Sequence, residues 1–355
     1  MIYRESGQFR TTYNQDTQIF PLRQDRFAMI ALLAVGLVVI PFVASDYWLK
    51  ALLIPWLIFS LVALGQNILT GYAGQLSLGS AGFMAVGAFA CYNFMLRIDG
   101  MPFLVAVVLS GLSAAAVGMA FGLPSLRIRG LYLAVATLAA QFFIVWTIDK
   151  FGWFKNYDPS GVITAQPMII LGNNFDTPQE KYLIVAVIVG VLALLAKNMA
   201  RGSTGRAWMA VRDMDVAAEV MGLPLVRTKL LAFAISSFYC GVGGALFAFA
   251  YLGTVEPSAF TIDLSFRILF MIIIGGVGTI LGSFLGAAFI LLLPILLSVI
   301  FHLIFGNAIS ASVISSVELI IFGVLIITFL IYEPHGMARM WQIIKEKLRL
   351  WPFPH

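Results

Sequence analysis

The sequence predicts an all-α polytopic membrane protein of about ten transmembrane helices, with both termini in the cytoplasm. Three observations predict it. Of 355 residues, 61% are hydrophobic and only 11% charged, against roughly 25% charged in soluble domains. Apolar runs recur from Phe27 to Ile331, each close to the ~20 residues that cross a hydrocarbon core. The basic residues, finally, fall in alternate loops.

The first run, 27–45, follows a 26-residue polar segment holding Arg4, Arg10, Arg23 and Arg26. That segment is too long for the charged start of a signal peptide, so the run reads as a retained helix. Further spans follow at 47–69, 72–96, 103–122, 131–148, 182–197, 230–252, 264–275, 282–301 and 313–332. The shortness of 264–275 leaves a second count open, eight crossings plus one re-entrant pair. Cys91 and Cys240 lie in apolar runs without Cys-x-x-Cys spacing and read as buried thiols.

Lysine and arginine collect in cytoplasmic loops. With the N-terminus inside, ten crossings place 1–26, 123–130, 198–229 and the tail from 333 to 355 in the cytoplasm, and these regions with Lys197 hold 16 of the 22 basic residues. The long loop 149–181 falls outside and is slightly acidic. The net charge of +5 is explained by this inner-side placement and by anionic lipid, and nothing points to nucleic acid. Glu318 remains inside the last span. Intramembrane acids are functional candidates, yet Glu318 also lies close enough to the outer interface to meet water.

The stretch 71–89, which runs into the third span, carries Gly71, Gly74, Gly79, Gly82 and Gly87. At helical spacing Gly74, Ser77, Ala81, Ala85 and Ala88 form one small-residue face, expected to pack; Gly71, Gln75, Gly79 and Gly82 form a second. Such residues let helices approach closely or let the chain unwind beside a path. Polar residues in the surrounding spans are candidate path residues: Gln66, Asn67, Tyr72, Gln75, Ser77 and Ser80, then Thr137 and Gln141, with Glu318. Interhelical hydrogen bonding is the plainer reading of each one. "LGSAG" at 78–82 and "LGSFLG" at 281–286 suggest a parallel internal repeat.

The one substantial cytoplasmic insert, 198–229, is amphipathic and mixes charges. It predicts two short helices, the second starting at Asp213 or Asp215 and stopping at Gly222 before Pro224. Its apolar Val216, Val220 and Met221 are bounded by Asp213, Asp215 and Glu219, which an anionic leaflet would repel; a protein partner fits better than lipid.

"AAEVMGLP" resembles the coupling-loop motif of ABC importer permeases. With "NILTGYAGQLSLGSAGFMAVGAF", "GLPSLRIRGLYLAVATLA", "IIIGGVGTILGSFLGAAF" and "YEPHGM", the chain is similar in order, from Asn67 to Met337, to the branched-chain amino-acid permease family, its LivM-type subunit. The outer loop "NYDPSGVITAQP", Arg267 and His335 depart from that pattern. The resemblance implies import of leucine, isoleucine or valine through the bacterial inner membrane. It also implies a homologous second permease subunit, two ABC ATPases and a periplasmic binding protein as partners. Arg212, Asp213, Asp215, Ala217, Ala218, Glu219 and Gly222 would then contact an ATPase. Related permeases carry urea, short amides or aromatic acids, so these substrates stay open.

The chain lacks a Gly-x-x-x-x-Gly-Lys-Ser/Thr loop, so ATP and magnesium would sit on the partner ATPases. "GGVGTILG" misses dinucleotide spacing, because Gly282 comes four residues after Gly278. The three histidines are scattered and join no cysteine or paired carboxylate, which speaks against a metal site or a catalytic set. An ATP-independent facilitator is the other class to weigh, and such a protein has no need of the 198–229 loop.

Overall fold

The computed structural model describes residues 11–12, 23–125, 131–158, 161–170, 173–305, 317, 320, 321, 323–325, 327, 328, 331 and 336–350. Glu318, His335, most of the expected span 313–332 and most of the N-terminal segment 1–26 lie outside them.

The chain is mostly helical. Helix α1 covers Arg23–Ala34, Val35–Val39 and Ile40–Val43; α2 is Asp46–Tyr72, α3 Ser80–Arg97, α4 Phe103–Ser125, α5 Leu131–Lys150 and α6 Pro178–Arg201. Then come α7 (Ser203–Asp213), α8 (Asp215–Val220), α9 (Leu225–Leu252), α10 (Ile262–Gly275), α11 (Ile280–Phe305) and α12 (Gly336–Leu350). Among the described residues, seven helices are long and apolar enough to cross a membrane by length and composition. The expected spans from 47 to 301 each meet a helix, with one displaced start. The expected third span begins at residue 72, whereas α3 begins at Ser80 and residues 73–79 are not helical.

Two helix irregularities have a local cause. Proline has no N–H to give the carbonyl four residues back. Pro41 and Pro55 leave residues 37 and 51 in that position, and at both places the helix widens into a π turn, Val35–Val39 and Leu49–Leu53. The start of α6 is better sealed. Thr177 accepts from the Glu180 N–H while Glu180 accepts from the Thr177 N–H, a reciprocal cap with Pro178 in the first turn.

Helices α2 and α9 are the buried pillars, and α3 and α4 pack against α9. Lipid is as apolar as leucine, so close van der Waals packing must hold such helices together. Small residues provide it. A Cβ on Gly87 would strike the Gly241 carbonyl, and one on Gly244 would strike the Met84 carbonyl, so α3 and α9 meet backbone to backbone. Ala81, Ala85 and Ala88 are fully buried on α3, as their expected packing face requires. Gly74 and Ser77 are not part of that face, because both precede α3, Gly74 with a left-handed backbone (φ +68°); of the second expected face, Gly71, Gln75, Gly79 and Gly82, only Gly82 lies in α3.

The helices α10 and α11 form a hairpin against α2, joined by a turn at 276–279 with Gly276 and Gly278 at positive φ. The all-α expectation needs a small amendment at the opposite end of the molecule. Within the long loop, Ile163–Thr164 pairs with Thr254–Val255, and Ile169–Ile170 with Asn173–Asn174, both antiparallel. The first pairing fastens the loop to the end of α9. At that same end the Gln179 amide donates to Asp46 (2.8 Å), and the Arg97 guanidinium lies 3.9 Å over the Trp153 ring.

Candidate functional site: an unwound segment beside the 198–229 loop

Helix α2 ends in a π turn, Ile68–Tyr72, and the chain then runs without helical structure to Gly79. Bare backbone buried among apolar helices must find partners for its N–H and C=O groups. It finds them on side chains. Gln66 Nε2 donates to the Ser77 carbonyl (2.6 Å), Thr70 Oγ1 to the Gln75 carbonyl (3.2 Å), and Leu78 N to Thr137 Oγ1 (2.9 Å).

The start of α3 is satisfied the same way. Its first orphan N–H groups are taken by Ser265 Oγ, which accepts from Ala81 N at 3.0 Å, and by Gln141 Oε1, which accepts from Gly82 N. Gln141 also donates through Nε2 to the Phe260 carbonyl (3.1 Å). Thus Gln66, Thr137 and Gln141, all expected near a path, brace the backbone from Ser77 to Gly82. Ser265 has the same task and carried no signal, since a serine in an apolar span is common.

Gln75 and Ser80 differ from them. Both are buried, and Gln75 Oε1 and Ser80 Oγ have no hydrogen-bond partner. A buried unsatisfied polar atom costs about 1–3 kcal/mol, which a hydrogen-bonding water or ligand group recovers. Ser77 is buried and its Oγ accepts from Gly79 N, while Tyr72 is half-buried at the end of the π turn. Replacing Gln75 by leucine is expected to leave thermal stability unchanged or slightly raised, because an orphaned acceptor is removed, while solute passage falls. A Gln75→Leu protein with full transport would make Gln75 a packing residue.

Asn67 faces the other side of α2. Its Oδ1 accepts from Gly278 N (2.8 Å), and its Nδ2 donates to the Thr279 carbonyl (2.8 Å) and to Ser283 Oγ (3.0 Å). One residue apart, Gln66 and Asn67 hold the backbone leading into α3 and the backbone leading into α11. The "LGSAG" and "LGSFLG" stretches lie in, or just after, these two braced backbones.

The residues of the 198–229 loop form two helices, α7 and α8, that meet at Met214. The loop is anchored by Trp208, 1% exposed, whose Nε1 donates to the Thr228 carbonyl (3.1 Å), and by an ion pair from Lys229 to Asp215 at 3.8 Å. Arg212 and Asp213 end α7, Asp215 opens α8, and Gly222 at φ +87° stops the chain after it. Ala218 faces inward; Ala217 and Glu219 are exposed, with Val216 at 64%, Met221 at 70% and Val220 at 85%. Arg212 points elsewhere: its Nη1 donates to the Gly71 carbonyl (2.8 Å), and it pairs with Asp213 at 2.8 Å. So the structure joins the two predicted residue groups, while Glu318 lies outside the described residues.

At the end away from this loop a cavity of about 550 Å³ is lined by Asp46, Lys50, Asp176 and Lys181, with Tyr251 and Leu252 as apolar wall. It offers both signs of charge. Among the described residues no group of three His, Cys, Asp or Glu side chains is placed to hold a metal ion.

The family model described as "Branched-chain amino acid transport system / permease component" matches residues 49–330. The chain is 29% identical over 311 residues to the high-affinity branched-chain amino acid transport system permease protein LivM of Escherichia coli (strain K12), covering 80% of this chain and 68% of that protein. It is 21% identical over 330 residues to the probable branched-chain amino acid transport permease protein LivM of Methanocaldococcus jannaschii, with 82% and 93% covered. It is also 27% identical over 239 residues to the autoinducer 2 import system permease protein LsrC of Enterobacter sp. (strain 638), with 65% and 64% covered. No solved structure matches the chain.

Proposed function

Since the chain belongs to the branched-chain amino acid transport permease family, we propose that it is the permease subunit of an ATP-driven importer carrying leucine, isoleucine or valine into the cytoplasm. Its partners are a homologous second permease, two ABC ATPases that hold the ATP and magnesium, and a periplasmic binding protein. The membrane is the bacterial inner membrane, with the α7–α8 end facing the cytoplasm. Arg201, Arg206, Arg212, Arg227, Lys229, Arg339, Lys345 and Lys347 all belong to α6–α9 and α12 at that end, in keeping with the positive-inside bias.

The observation that carries this reading is α8. It is a six-residue helix with Val216, Val220 and Met221 exposed beside Asp213 and Glu219, joined through Arg212 to the end of α2. An apolar patch with an acidic rim suits a protein cleft, and the tie gives motion there somewhere to go. Transport itself needs a path that solvates a zwitterion and tolerates aliphatic bulk. The unpartnered Gln75 and Ser80 oxygens beside bare backbone supply acceptors for an ammonium group. The two-signed cavity supplies a receiving end for a substrate released by the binding protein.

Gly222→Pro is expected to abolish ATP-dependent leucine uptake and binding-protein-stimulated ATP hydrolysis, because Gly222 holds φ +87° where proline requires about −65°. Membrane insertion should be unaffected. Undiminished uptake would defeat the importer reading. The solute is tested by purifying the binding protein and measuring which of leucine, urea, short amides and aromatic acids it holds.

A further inference from the structure

The guanidinium of Arg212 reaches away from the exposed face of α8 and into the end of α2. Its Nη1 donates to the Gly71 carbonyl at 2.8 Å, and its Nε donates to Asp213 at 2.8 Å. The Gly71 carbonyl is available because helical bonding has ended: Ala73 N goes to the Ile68 carbonyl and Gln75 N to the Leu69 carbonyl. A cation here also meets the negative end of the helix dipole. Space for the side chain comes from Gly74, where a Cβ would lie 2.6 Å from Arg212 Cγ.

The bond lands on a junction. Gly71 lies directly against Gly278 of the α10–α11 turn, and Asn67, one helical turn back, grips Gly278 and Thr279. The tail helix α12 begins on the same turn, since a Cβ on Gly336 would lie 2.6 Å from Gly276 Cα. On its other side the junction continues into the unwound 73–79 segment with Gln75. Only Asp213 and Met214 separate Arg212 from α8.

We propose that Arg212 is the positioning residue that converts displacement of α8 into movement of the α2 end and the 276–279 turn, and so sets closure at the cytoplasmic end of the path. Resting on the importer reading above, this assigns Arg212 an inward role in place of direct contact with an ATPase. The guanidinium is planar and holds Gly71 and Asp213 at once, so it transmits a push along a fixed direction. The same displacement reaches both braced backbones, because the α2 end carries both.

The test uses the complete reconstituted transporter with radiolabelled leucine and measures leucine imported per ATP hydrolysed. For Arg212→Ala we expect co-purifying ATPases and near-normal stimulated hydrolysis, with the import ratio down by about tenfold, the loss expected when a charge-assisted hydrogen bond goes unmade. Arg212→Lys, which keeps one donor, is expected to recover part of the ratio. It also serves if the alanine protein fails to assemble. A parallel fall of uptake and hydrolysis at constant ratio in both variants would mean a structural role only and overturn the proposal, as would a normal ratio in both. Wild-type protein without ATP-dependent leucine uptake would instead overturn the importer reading, and this inference with it.

Discussion

Gly244→Val is expected to prevent stable assembly of the helical core. A side chain at Gly244 meets the Met84 backbone carbonyl, which belongs to a helix and cannot turn aside. Helices α3 and α9 would have to separate, losing the Gly87–Gly241 contact with them. Overpacking a core costs about 1–3 kcal/mol where side chains can adjust, and here the obstacle is backbone. Gly190→Ala on α6 is the control, since nothing lies within 4 Å of that position. Thermal unfolding in detergent should show a large fall for Gly244→Val and none for the control. An unshifted transition in Gly244→Val would mean that α3 and α9 do not meet as described.

The second large effect is expected at Asn67. Asn67→Leu removes an acceptor from Gly278 N and a donor from the Thr279 carbonyl and Ser283 Oγ. Each buried group left unmatched costs about 1–3 kcal/mol, so the turn between α10 and α11 should lose its fixed position. Stability and uptake should fall together. Asn67→Asp keeps an acceptor for Gly278 N but sets a buried carboxylate oxygen against the Thr279 carbonyl, and should be no more stable than Asn67→Leu. Equal melting temperatures for Asn67→Leu and wild type would show that the turn is held elsewhere.

Much of the helical framework was legible because hydropathy reports burial in lipid directly. The apolar runs at 103–122 and 230–252 became α4 and α9 with ends displaced by a few residues. The coupling-loop stop was legible too, since only glycine sits easily at the φ of residue 222. The segment 73–79 was not. It is uncharged and glycine-rich, and hydropathy weighs bare backbone and helix alike. The glycine density was the available signal, and it pointed equally to close packing, which is what Gly87 does.

The site was legible by residue type and less so by role. Gln66, Asn67, Thr137 and Gln141 stood out as polar groups in apolar spans, yet a sequence does not say that their partners are backbone groups. Ser265, Thr279 and Ser283 were missed because hydroxyls in membrane helices usually bond within their own helix, as Ser113 does to Leu109. Arg212 was grouped with the ATPase-contacting residues on the family resemblance, and nothing in the sequence signalled its bond to the Gly71 carbonyl. Its direction depends on Gly74, over a hundred residues away.

The adjacency of Gln66 and Asn67 gives α2 the character of a camshaft. Successive residues on a helix point about 100° apart, so the two amides meet their backbones from different sides of one axle. A rotation of α2 at this turn would load the bonds of both amides at once. The segments leading into α3 and α11 are therefore geared to each other, and neither can be reset by that rotation while its counterpart stays still.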